Sequence, residues 1–590
     1  MKADKRLGWL HLASEPPLSL DEINKHAEAI RAEGLEAVVL IGQGGSSQAS
    51  MTVTKLHEVA SNRHCLAGSD PTSAAGNVHS DIPHCYTGSP LPSYLATPPF
   101  CSGQAIGPFQ IPPQTNVAFR TMDSLSPVFV NHILGSSDPA KTLYIVSSKS
   151  GTTIEIRMLE RVVWHYVAGH LGEAACGDRF VAITDPDSDL QQLAEKKGYR
   201  LVLPGLSDVG GRFSALSVFA LFPAALVGID ISEALANSAE TEAFCCSDDP
   251  NNPALCLAAF LHASYLEGRD KFSLVMPPSG QVFGLWVEQL IAESLGKQGK
   301  GIVPNVEVDA SILAQPHADR SVITFAVGHV AGFAESIANI DDTIPLLHYT
   351  LDDPEQAFTH FVVWEYATAF LGILMGVFPF DQPDVELTKL IVRDLLDADS
   401  HNDDGDGYIQ LDIPEPQILE LRLSKALALA GYVNGFDPDS LDSLLRKLLC
   451  SIKAGDYFSL NAFVPFRGYG RREALERMRN RVASRLDAVS CLEIGPRYLH
   501  STGQLHKGGP DTGVFLIISA NEIDDVQIPG EKFNLGDLAA VQARADFTAL
   551  ASCGRRALHV HLVNNDSEIL SQFADRLCSA ISAVSLSCRQ

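Results

Sequence analysis

Residues Tyr144 to Glu155 read Y-I-V-S-S-K-S-G-T-T-I-E, and this stretch decides the fold. Leu143 to Val146 is a short apolar run of strand character, and from Thr153 onward the apolar residues recur at helical spacing. A strand that turns directly into a helix brings backbone N–H groups and the positive end of the helix dipole to one point, which suits an anion. Ser147, Ser148, Ser150, Thr152 and Thr153 can add hydroxyl donors, Lys149 a point charge, and Gly151 a tight turn. Two readings fit this loop taken alone: a phosphate cradle, or a capped helix with a serine-rich lead-in.

Outward from that loop the same alternation repeats. Ala37 to Ile41 is a strand running into Gly42, Gly44, Gly45, Ser46 and Ser47, a second strand end suited to an anion. Arg179 to Thr184 and Arg200 to Leu203 are further strands, separated by the helical segments Glu155 to Leu171 and Asp189 to Lys196. Strand and helix in alternation specify a doubly wound α/β sheet whose ligands sit beyond the carboxyl ends of its strands. After the polar stretch Asn237 to Pro253 the pattern restarts, with strands near Phe272 to Val275, Val322 to Val327 and Leu346 to Leu351. The expected organisation is a first domain over 1–236 with an inserted irregular loop at about 50–114, and a second over 252–396. An acidic loop over 397–413 and a C-terminal segment over 414–590 follow, the latter packing on the other two. Within that segment Ile418 to Ala430 reads as helical, Val514 to Ser519 and Ala557 to Val563 as strands, and Leu535 to Ala551 as a helix.

A chain of 590 residues needs two or three cores, and 46% hydrophobic with 19% charged residues is the composition of a soluble protein. The formal net charge of −27 argues against nucleic acid as a partner. Twelve cysteines without a C-x-x-C pair fit a reducing compartment and indicate neither a zinc ribbon nor a redox motif. The N-terminus lacks a long apolar leader and no window reads as an uninterrupted membrane span, so a cytoplasmic location with no membrane partner is expected.

Asn402 to Ile409 resembles the first half of an EF-hand loop, but Ile413 stands where the bidentate glutamate belongs, so a solvated acidic loop competes with calcium binding. His559 and His561 alternate on a strand as metal ligands do, and also as ordinary strand residues do. Gly210-Gly211-Arg212 projects an arginine from a glycine turn, where it either stabilises an oxyanion or lies on the surface beside a helix start. Trp286 to Lys297 places Gln289 and Glu293 four residues apart on one helical face, with Gly296 ending the helix. Glu293 is there either a general base or one exposed acid of an amphipathic helix.

Taken in order, these motifs resemble the phosphoglucose isomerase family: Gly44-Gly45-Ser46-Ser47, Ser147 to Thr153, Gly210-Gly211-Arg212, Glu293 to Lys297, and Phe380-Asp381-Gln382-Pro383-Asp384-Val385-Glu386 with Lys389 beyond it. Gly495 to Gly509, G-P-R-Y-L-H-S-T-G-Q-L-H-K-G-G, is similar to the isomerase half of bifunctional transaldolase/phosphoglucose isomerase proteins. In ordinary bacterial members the related L-H-S-x-G-Q segment precedes F-D-Q-P; here it follows. The isomerase motifs begin at Gly42, so no transaldolase barrel of about 250 residues, and no transaldolase activity, is expected.

The resemblance implies two flavodoxin-like sugar isomerase (SIS) domains, each a three-layer αβα sandwich, with the C-terminal segment completing the site, and a homodimer. It implies reversible aldose–ketose isomerisation of glucose 6-phosphate and fructose 6-phosphate through a cis-enediolate, with no metal and no cofactor. Carried over by motif, Ser148, Lys149, Ser150 and Thr153 would hold the sugar phosphate, and Gly45 and Ser46 would line the pocket. Arg212 would stabilise the enediolate, Gln289 would contact substrate and Glu293 would move the proton. Lys389 and His500 would open the ring beside Gln382. The alternatives are a non-catalytic sugar-phosphate sensor, which would not need Arg212, Glu293, Lys389 and His500 together, and an enzyme that also accepts mannose 6-phosphate.

Overall fold

Fifteen strands divide among three sheets in the computed structural model, which describes residues 6–67, 117–307, 309–327, 333–351, 354–397, 407–413, 415–430, 436–466 and 470–584. The first sheet contains β1 (Ala37–Gly42), β2 (Ala118–Met122), β3 (Thr142–Ser147), β4 (Phe180–Thr184) and β5 (Leu201–Pro204). Its order is β2-β1-β3-β4-β5, all parallel. That is the flavodoxin-like order, whose switch point lies between β1 and β3. Both glycine- and serine-rich turns leave the sheet at that point. β1 and β3 are buried along their whole length, so they read as continuous apolar runs rather than alternating ones.

The second sheet, β6 (Lys271–Val275), β7 (Val303–Glu307), β8 (Arg320–Val327) and β9 (Leu346–Leu351), is also parallel, in the order β7-β6-β8-β9. One continuous core joins it to the first: Val38, Leu40 and Ile145 belong to the same cluster as Phe272, Leu274, Trp286 and Trp364. The helix Ile231–Cys245 runs through residue 236, the expected end of the first domain, and packs on the helices Pro253–Leu266 and Gln356–Met375. The last of these is long and apolar enough to cross a membrane, but it is 67% buried inside the protein as a core helix.

The C-terminal segment does more than cover the other two: it builds a sheet of its own. β10 (Tyr408–Leu411), β11 (Ile418–Ser424), β12 (Tyr457–Phe463), β13 (Val489–Ile494), β14 (Gly513–Ala520) and β15 (Arg556–Leu562) lie in the order β10-β11-β15-β14-β12-β13. β11 runs antiparallel to both of its neighbours, β10 and β15, and the pairs among β12 to β15 are parallel. The helix expected over Ile418 to Ala430 is therefore mostly strand, with helix only at Lys425–Leu429. Leu419, Leu421 and Leu423 alternate with polar residues at period two, and pairing on both sides with β10 and β15 turns that alternation into a strand.

The irregular insert expected at 50–114 also needs correction at its start. Gln48–Ala67 is a helix, with Ala49, Val53 and Leu56 buried. Its polar residues hide the period because they too face inward: Thr52 donates to the Gln48 carbonyl at 2.9 Å and Thr54 to that of Ser50 at 2.8 Å. The rest of that insert, and residues 402–406 of the acidic loop with its calcium reading, lie outside the described residues.

Candidate active site

The opening stretch forms the expected strand, loop and helix: β3 ends at Ser147 and the helix Ile154–Leu171 starts after Thr153, whose hydroxyl does not cap it. Ser148 accepts a hydrogen bond from the Gly151 N–H at 3.2 Å, and the exposed hydroxyls of Ser150 and Thr152 lie 2.9 Å apart. Gly151 has φ +72°, and a Cβ there would lie 2.6 Å from the Leu190 nitrogen. Lys149 is committed inside the protein: its ammonium donates to the Asp185 carboxylate and, at 2.5 Å, to the Leu206 carbonyl. Burial lowers the Lys149 pKa and raises that of Asp185, with their mutual attraction offsetting part of each shift.

Across the switch point the two glycine turns touch. A Cβ on Gly45 would fall 2.2 Å from the Gly211 carbonyl carbon, so only glycine allows this approach. Ser46 supports the turn, donating to the Gln43 carbonyl at 2.9 Å, while its own carbonyl accepts from Ser147 at 2.7 Å. The contact seats Arg212, which is 2% exposed and fully engaged. Its Nε donates to Ser294 at 2.7 Å, Nη1 to Gln382 at 3.2 Å, and Nη2 to the carbonyls of Pro379 and Asp381 at 2.5 and 3.0 Å. Nη1 also lies 3.2 Å from Glu293 Oε1. Burial lowers the Arg212 pKa, countered by Glu293 and Asp381.

Glu293 occupies the last turn of the helix Gln281–Leu295 and is 8% exposed, so it is not the surface acid of the alternative reading. Gln289, one turn earlier, donates to Glu293 Oε2 at 3.1 Å and to the His500 carbonyl at 2.8 Å. Gln289 Oε1 is buried and has no hydrogen-bond partner among the described residues. Lys297, just past the helix, binds the Phe378 carbonyl at 2.8 Å and Asp381 Oδ1 at 2.9 Å; burial, reinforced by Arg212, pushes its pKa down to about 8.

His500 comes from the third sheet's unit, in the turn Arg497–His500 after β13. Its Nε2 donates to Glu155 Oε1 at 2.9 Å, and Gln542 donates to the same oxygen at 2.6 Å. Desolvation lowers the imidazole pKa, but the charge and hydrogen bond of Glu155 outweigh it and the net shift is upward. Desolvation of Glu155 is likewise outweighed by His500, and its pKa is lowered. The pair is thus an ion pair at a pH between the two.

The structure therefore gathers Gly45, Ser46, Arg212, Gln289, Glu293, Gln382 and His500. Ser148, Ser150 and Thr153 stand on the neighbouring loop. Lys389 is 57% exposed and ion-paired with Glu386 at 2.7 Å, and its charge acts on His500 through space, lowering its pKa. Sequence reasoning missed Glu155, Gln542, Ser294 and Lys297. Glu155 closes the very stretch that opened the reading, but its burial (2% exposed) in the first turn of the helix emerges only once the sheets have packed. His559 and His561 both bond Ser519, at 2.8 and 2.7 Å, and no group of three or more His, Cys, Asp or Glu able to hold a metal occurs among the described residues.

No protein-family model matches the chain. It is 32% identical over 333 residues to the glucose-6-phosphate isomerase of Symbiobacterium thermophilum, covering 48% of this chain and 73% of that protein. The glucose-6-phosphate isomerase of Shouchella clausii is 30% identical over 309 residues, covering 45% of this chain and 68% of its own length. Among solved structures, a hypothetical protein from Thermus thermophilus superposes with a TM-score of 0.51 at 23% identity, covering 67% of this chain and 91% of that one. The fold class read from the sequence, two flavodoxin-like αβα units, is the one observed.

Proposed function

The chain belongs to the glucose-6-phosphate isomerase family, and we propose that it interconverts glucose 6-phosphate and fructose 6-phosphate by moving a proton between C2 and C1. The observation that carries this reading is the meeting of Arg212 and Glu293 at 3.2 Å in a buried site, with Gln289 linking Glu293 to the His500 segment. Aldose–ketose isomerisation needs a base, a cation beside the developing enediolate oxygen and an acid to open the hemiacetal. Glu293 takes the first role and Arg212 the second. His500, held protonated by Glu155, donates its proton to the ring oxygen as the C1–O5 bond breaks, and the C1 hydroxyl gives up its proton to water to leave the open-chain aldehyde. Gln289 Oε1, an unsatisfied buried acceptor, suits a sugar hydroxyl, since a buried polar atom without a partner costs stability until a ligand supplies one.

Every role falls to a protein side chain, so the reaction would need neither metal nor cofactor, and all of these side chains come from one chain. The test is a coupled assay converting fructose 6-phosphate to glucose 6-phosphate, run with and without a chelator and repeated with mannose 6-phosphate. Turnover that persists in chelator is expected. Sugar-phosphate binding without turnover would favour the sensor reading, and loss in chelator reversed by a divalent ion would overturn the metal-free assignment.

A further inference from the structure

Of the cations expected to meet the substrate, Lys149 and Arg212 both carry carboxylate partners. Lys149 is spent on Asp185, and Arg212 lies against Glu293. A sugar phosphate brings a dianion, and the hydroxyls of Ser148, Ser150 and Thr153 offer no charge to balance it.

A third cation stands close by. The segment 6–10 lies across the loop between β5 and the Gly211 turn. A Cβ on Gly8 would fall 2.3 Å from Asp208 Oδ1, so the backbone touches that loop directly. Trp9, 2% exposed, packs on Phe213 and Phe380 with ring centroids 5.1 and 5.8 Å apart, and these are the neighbours of Arg212 and Asp381. Leu10 N–H bonds the Leu7 carbonyl at 3.1 Å, fixing the turn, and Leu7 packs on the shared core of the first two sheets. Arg6 precedes this anchor. It is half-buried and forms no hydrogen bond or ion pair among the described residues. Its charge is felt on both sides of the site: it adds to the lowering of the Lys149 and Arg212 pKa values and opposes the rise of that of Asp185.

We infer that Arg6 is a phosphate-binding residue of this site, the cation that compensates the sugar-phosphate dianion above the Ser148–Thr153 loop. The inference rests on the isomerase reading for its substrate class. Arg6 lies beside two cations and so raises local positive potential, an arrangement that stores repulsion until an anion arrives. Asp185 and Asp208 bring opposite charge to Lys149 and hold that potential in check before the ligand binds. A guanidinium grips phosphate through two parallel N–H bonds, so arginine and lysine are not equivalent there.

The test uses the full chain with Arg6→Gln and Arg6→Lys, reading KM and kcat for fructose 6-phosphate, inhibition by inorganic phosphate, calorimetric binding of fructose 6-phosphate, and Tm. Arg6→Gln is expected to raise KM and the phosphate inhibition constant by about 10- to 100-fold, the weight of a charge-assisted pair, with kcat within about threefold and Tm unchanged. Arg6→Lys should recover part of the loss. Wild-type turnover with Arg6→Gln unaltered in KM and phosphate inhibition overturns the role of Arg6 and leaves the isomerase reading standing. A fall in Tm with a loss that Arg6→Lys does not relieve also overturns it, in favour of a structural residue. Binding of fructose 6-phosphate that depends on Arg6 in a wild-type protein without turnover would overturn the isomerase reading and leave Arg6 in place.

Discussion

Glu155 Oε1 lies 2.9 Å from His500 Nε2, joining the first turn of the helix behind the phosphate loop to a turn 345 residues later. In the proposed mechanism the phosphate-binding and ring-opening ends of the site would thus be one construction. A substrate held at the loop would be presented to an imidazole whose charge is set by the helix carrying that loop.

Glu155→Gln should shift the pH profile. Glu155 raises the His500 pKa against the opposing effect of burial, so removing the carboxylate lets it fall. The alkaline limb of kcat/KM on the cyclic substrate should therefore move to lower pH. Stability follows the same linkage. The His500 contribution is complete below the ordinary value of 6.5 and fades as pH rises through its raised folded value, and the Glu155 contribution is complete above 4.5 and fades as pH falls through its lowered one. The wild type minus Glu155→Gln difference in Tm should peak between those two values. An unshifted activity profile would sink this assignment.

Gly45→Ala should cost both stability and activity. The added methyl meets Gly211 backbone at 2.2 to 2.3 Å, and backbone cannot rotate aside as a side chain can. Overpacking of this kind costs about 1–3 kcal/mol, and the displaced turn carries Arg212. Denaturant unfolding alongside kcat checks it; a variant of wild-type stability and rate would show that the two turns do not touch in solution.

Lys149→Ala should lower stability more than substrate affinity. With 18% and 16% of their side chains exposed, Lys149 and Asp185 form a largely buried pair, and removing one partner strands the other. A loss of about 1–3 kcal/mol is expected, less than for a fully buried pair, and Lys149→Met with Asp185→Leu should recover much of it. If Lys149→Ala raises KM with no change in Tm, the ammonium leaves Asp185 for the substrate more readily than its geometry implies.

How much of this was legible in the sequence depended on the range of the interaction. The strand–loop–helix at Leu143 to Leu171 and the one-turn spacing of Gln289 and Glu293 are local, and the pattern alone specified them. The partner of His500 was not legible, because Glu155 reaches it only after three sheets have packed. The Lys149–Asp185 pair was missed for the same reason: a lysine in a serine-rich loop reads as available until the neighbouring strand end supplies its acid. Ile418 to Ser424 was misread because its leucines flow into the helical Lys425–Leu429, and only pairing with β10 and β15 decides between the two periods.

The most direct measurement is fructose 6-phosphate turnover by Glu293→Gln in the coupled assay, with calorimetric binding of the same sugar phosphate alongside. The substitution keeps the size of the side chain and its approach to Gln289 while removing the carboxylate that must accept the C2 proton. Turnover should fall by at least about 10²-fold, the lower range for general-base catalysis, with binding largely retained. A rate near that of the wild type would contradict the mechanism at its centre.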